Sequence, residues 1–64
     1  MKVIDLINMK YNKEKMPKHI IINRMNYIYD TKTNKYYDED NSYMVIDFTD
    51  NVLNMKVKII KWEW

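Results

Sequence analysis

The 64-residue sequence predicts an α+β fold, an N-terminal helix packed on a small curved antiparallel sheet of about five strands. Three observations predict it. Apolar residues at helical spacing open the chain, and Pro17 stops them. Short runs of β-branched and aromatic residues then alternate with turns rich in Asn, Asp and Thr. No stretch approaches the roughly 20 apolar residues of a membrane span. The expectation is a single domain, 1–64, with no membrane partner and a cytoplasmic location.

Taken in order, "VIDLINMKYN" places Val3, Ile4, Leu6, Ile7 and Tyr11 on or near one stripe, while Lys2, Asp5 and Asn12 favour water. The helix should span 3–11, and "NKEKMP" should be a polar link ending in a turn. "KHIIINRMNYIYD" reads as two strands about a turn or bulge at 23–26. Ile20 and Ile22 share one face there, and His19, Ile21 and Asn23 the other. Tyr27 and Tyr29 point to one side and Ile28 to its opposite. "DTKTNK" then closes a hairpin onto "YYDED", with Asn34 able to take the left-handed conformation that Gly usually supplies. "SYMVIDF" is expected as a further strand after the acidic turn "DEDN", and "TDNVLN" as one helical turn. The last strand, "MKVKIIKWEW", changes phase. Met55, Val57 and Ile59 keep one parity and Ile60, Trp62 and Trp64 take the other, which predicts a bulge or departure from the sheet at Ile59 and Ile60.

A chain this short sits near the lower limit for an unaided core. It has no cysteine for a disulfide or thiolate metal site, and one histidine. Tight packing and self-association are the remaining means of stabilisation, so a homo-oligomer is expected. Ile60, Trp62 and Trp64 would turn toward a neighbouring subunit or the rim of a shared pocket. Charge is unevenly spread. Residues 1–29 carry a local +4, residues 30–50 a local −4 and residues 51–64 a local +2. An acidic middle argues against nucleic acid, which selects a continuous basic face, and fits self-association.

No catalytic signature is present. Asp38, Glu39 and Asp40 are consecutive acids on a turn, with no reason for their pKa values to separate as acid–base catalysis needs. The stretch "DTKTNKYYDEDN" has the length of a calcium loop but places Lys32 and Lys35 where a ligand and a Gly belong, and ends in Asn41. No catalytic residue, metal site or cofactor is expected. Without Gly there is no phosphate-cradling loop, so anion binding would fall to side chains. Arg24, the only arginine, carries a planar fork suited to a phosphate, or equally to a surface ion pair. Tyr27, Tyr29, Tyr36, Tyr37 and Tyr43 lie on or beside strands. Such rings either stack on a base or cover an outer sheet face that one helix leaves bare.

"MKVIDLIN" at the start, "PKHI" after the helix, "YIYD" in the hairpin and "VLNMKVKII" near the end form a layout. It resembles that of short proteins encoded by phages and prophages of Firmicutes and related bacteria. Some proteins of that kind are immune-signal sponges, the sequestin type among them. The resemblance implies a non-enzymatic anti-defence protein that sequesters a nucleotide messenger such as cyclic ADP-ribose, made by a TIR-domain sensor. The tail Lys61, Trp62, Glu63, Trp64 and the lack of Gly in the middle depart from the family pattern. With that implication, the residues expected to bind ligand are Arg24, Tyr27, Tyr29, Lys35, Tyr37 and Trp62, in a pocket built between subunits. The alternative is inhibition of a host protein by direct binding.

Overall fold

Helix α1 (Val3–Tyr11) begins where the sequence places it. The Lys2 amide donates to the Asp5 carboxylate at 2.8 Å, and Asp5 and Lys10 set an acid and a base at the ends that suit the helix dipole. At the other end the Lys13 amide donates to the Lys10 carbonyl and the Glu14 amide to Met9, with Lys13 at φ 58°. This is a Schellman termination, with a lysine where glycine is usual. A computed structural model describes residues 1–40, 42–45 and 48–62 of the chain.

Three strands form a meander: β1 (His19–Ile22), β2 (Met25–Asp30) and β3 (Lys35–Tyr37). The chain then passes through a short helix, α2 (Asp50–Leu53), and returns as β4 (Val57–Lys61) beside β1. The sheet order is β3-β2-β1-β4, antiparallel throughout. Asn23 and Arg24 both have positive φ, 50° and 65°, the signature of a type I′ hairpin turn. Asn34 is left-handed at φ 58°, as its place in the second hairpin requires.

Among the described residues the sheet has four strands, close to the about five expected. "SYMVIDF" contributes one bridge, Tyr43 to Tyr37, and the Met44 amide donates to the Tyr36 carbonyl at 2.8 Å. Strand β3 is three residues long and offers little edge to pair with. Asp38 also draws the chain into a turn by accepting from the amides of Asp40 and Ser42, both at 2.9 Å. Ile46 and Asp47 of the expected strand, and Trp64 of the tail, lie outside the described residues. The expected phase change in β4 is a bulge. Ile20 stands opposite Ile59 and His19 opposite Lys61, which leaves Ile60 as the extra residue. Both sheet edges are partly covered, β3 by Tyr43 and Met44, β4 by Met1 to Val3 through the Lys2–Lys56 bridge.

One face of the sheet carries the core. Ile20 and Ile22 from β1, Tyr36 from β3 and Val57 from β4 are buried against Val3 and Leu6 of α1. Met16 and Pro17 are buried too, so the link after α1 ends inside the core and not in a solvated turn. Tyr11 departs from the expected stripe. It is 85% exposed, because α1 ends there and Met9 packs on the core instead.

Candidate functional site

Strand register divides the six expected ligand-binding residues. Tyr27 pairs with Ile20 and Tyr29 with Tyr36, so both tyrosines lie on the helix-covered face with the core. Tyr37 and Lys35 alternate to the opposite face, beside Ile28 and Asp30. Arg24 is exposed at the tip of the β1–β2 turn, and Trp62 follows the last residue of β4, 44% exposed. The six do not converge on one site.

A groove forms where α1 passes the β2–β3 hairpin. It has a volume of about 370 Å³. Helix α1 supplies Leu6, Ile7, Lys10 and Tyr11; the hairpin supplies Tyr29, Lys35 and Tyr36; Met44 and Phe48 close the far side. Such a volume lies within the ~300–1,000 Å³ usual for small-molecule sites. A single chain therefore forms a groove of this size. The chain returning from β3 to α2 adds a third wall that the helix and sheet alone lack.

The groove's aromatic wall is fixed in place. The Tyr36 hydroxyl donates to the Pro17 carbonyl at 2.6 Å, which ties β3 to the link after α1. Tyr29 meets the Tyr36 ring edge-on, with centroids 4.9 Å apart, and its hydroxyl donates to the Asn34 side chain at 3.3 Å. Burial raises the Tyr36 pKa well above the ordinary tyrosine value, and the neighbouring Tyr29 adds to the rise. Burial raises that of Tyr29 as well. Both rings are neutral at physiological pH. They offer faces and hydroxyls, not charge.

Positive charge in the groove comes from Lys10, whereas Lys35 meets the groove only at its edge, from a position on the opposite sheet face. The Lys35 ammonium stands 4.6 Å from the centroid of the Tyr43 ring. Tyr43 in turn meets Tyr37 edge-on at 6.5 Å. Lys10 lines the groove from the last turn of α1. At the rim, Tyr11 and Phe48 are 85% and 73% exposed.

Of the six residues expected to bind ligand, Tyr29 and Lys35 line this groove, and Lys10, Tyr11 and Phe48 line it without having been among them. Lys10 and Tyr11 follow Leu6 and Ile7 by four positions, a helical spacing that marks a shared face. Phe48 carries no such local signal. Among the described residues no helix is long and apolar enough to cross a membrane, and no three His, Cys, Asp or Glu gather as metal ligands. Comparison of the chain with protein-family models, curated proteins and solved structures finds no match in any of the three.

Proposed function

We propose that the protein is a non-enzymatic binding module that holds a flat, anionic, nucleotide-derived small molecule in the groove beneath α1. The observation that carries this reading is the combination of a fixed Tyr29–Tyr36 wall, exposed Tyr11 and Phe48 at the rim, and Lys10 at one groove. Base stacking on aromatic rings contributes about 1–3 kcal/mol per base, and a lysine meets a phosphate as a point charge. The resemblance to phage-encoded sponges supplies the ligand class, a cyclic ADP-ribose-like messenger, and the role, sequestration of an immune signal. Thermal shift against a nucleotide panel that includes cyclic ADP-ribose isomers tests it. A ligand at 100 times its Kd stabilises by about 2.7 kcal/mol, and mass spectrometry should recover it unchanged. No shift with any member overturns the reading.

A second reading, docking on a host protein, is favoured by one observation. Tyr11, Val45 and Phe48 are all more than 70% exposed on the α1 side of the sheet or beside it. It expects a protein partner and no nucleotide-dependent shift in melting.

A further inference from the structure

Among the described residues, Tyr43 packs against Tyr37 at one edge of the sheet face away from α1, and no helix covers the rest of it. Register places Tyr37, Ile28, His19 and Lys61 in one row across it, with Asn26, Ile21 and Lys58 in the next. Its middle is apolar through Ile21 and Ile28, and Ile28 is 43% exposed. His19 Nε2 and Asn26 Oδ1 are hydrogen-bonded there at 2.9 Å.

The flanks of this face differ in net charge, because the β3 flank sets two aspartates against one cation, Lys35, whose ammonium rests over the Tyr43 ring. The β4 flank carries Lys58 and Lys61. The β3 flank carries a concavity of about 300 Å³ walled by Ile28, Tyr29, Asp30, Tyr37 and Asp38, with both aspartates half-buried. Asp30 and Asp38 each also accept a backbone amide of their own turn, which fixes where the charges stand.

We propose that this face is a homodimer interface, formed by a second copy rotated about a two-fold axis parallel to the strands. Charge selects that axis. A two-fold along the strands sets β4 of one copy over β3 of the other and brings Lys61 to the acidic concavity twice. A two-fold across the strands sets β4 over β4 and opposes lysines. Ile21 and Ile28 of the two copies close the centre, in the aligned face-to-face packing of sheet sandwiches. The interface uses the sheet face opposite the helix, and its test, the oligomeric state, does not depend on the ligand reading.

Light scattering of the full chain at low salt should give twice the 8.0 kDa chain mass. Lys58→Glu with Lys61→Glu should return it to the single-chain mass with an unchanged circular dichroism spectrum, since both side chains are exposed. Asp38→Asn, which keeps the turn's acceptor, should weaken the dimer at least threefold. Zero-length carbodiimide coupling in a mixture of isotopically light and heavy chains should join Lys61 of one copy to Asp30 or Asp38 of the other. A wild-type chain that stays single at all concentrations overturns the proposal. So does a dimer that survives the double charge reversal, or cross-links that join the copies only through other residues.

Discussion

Among the described residues, four non-glycine residues sit at positive φ: Lys13, Asn23, Arg24 and Asn34. A chain without glycine must build its helix stop and hairpin turns from side-chain-bearing residues, and each left-handed one costs about 1–2 kcal/mol unless it is Asn or Asp. Arg24→Gly should therefore stabilise the fold by about 0.5–1 kcal/mol after the added unfolded-state entropy is counted, seen as a higher melting temperature. Asn34→Gly should gain less, because Asn tolerates the conformation already. Tyr36 sets a pH limit. Its raised pKa favours the neutral ring in the folded state, so its contribution is fully present below the ordinary value of 10.0 and is lost as pH rises above it. Urea unfolding of the wild type should weaken from pH 10 upward, and Tyr36→Phe should flatten that decline. The same variant should lose about 1–3 kcal/mol at pH 7, because the buried Pro17 carbonyl loses its donor.

At the scale of elements, what was legible depended on period. Helix α1 could be read to its ends because its apolar spacing runs into Pro17. The β4 bulge could be read because two apolar sets of opposite parity meet at Ile59 and Ile60. The fate of "SYMVIDF" could not. Strand propensity reports the segment but not the length of its neighbour, and β3 is too short to hold it. Met16 was hidden in a polar link, since one apolar residue has no period. The bulge carries its own prediction. Ile59 packs against the core, whereas Ile60 is the 45% exposed extra residue. Ile59→Ala should cost about 2 kcal/mol or more in chemical denaturation and Ile60→Ala about 0.5 or less, a difference that a regular strand of uniform burial would not show.

For the whole molecule, alternation told that Tyr27 and Tyr29 share a side but not which side is covered. Only the placement of α1 and the returning chain decides that, and it sends three tyrosines inward: Tyr27, Tyr29 and Tyr36. The sheet is left with two unlike faces, a groove rimmed by exposed aromatics on one and flanks of differing charge on the other. The groove's rim separates binding from folding. Tyr11 and Lys10 are exposed, so Tyr11→Ser and Lys10→Glu should each change stability by no more than about 0.5 kcal/mol. If the groove holds a stacked, anionic ligand, each should weaken binding about tenfold or more, the loss of one stacking or charge contact. Arg24→Gly and the Lys58→Glu, Lys61→Glu pair, both outside the groove, should leave affinity unchanged in isothermal titration. Equal losses from groove and non-groove variants would mean that the ligand sits elsewhere, and the reading of Lys10, Tyr11 and Tyr29 as its contacts would fail.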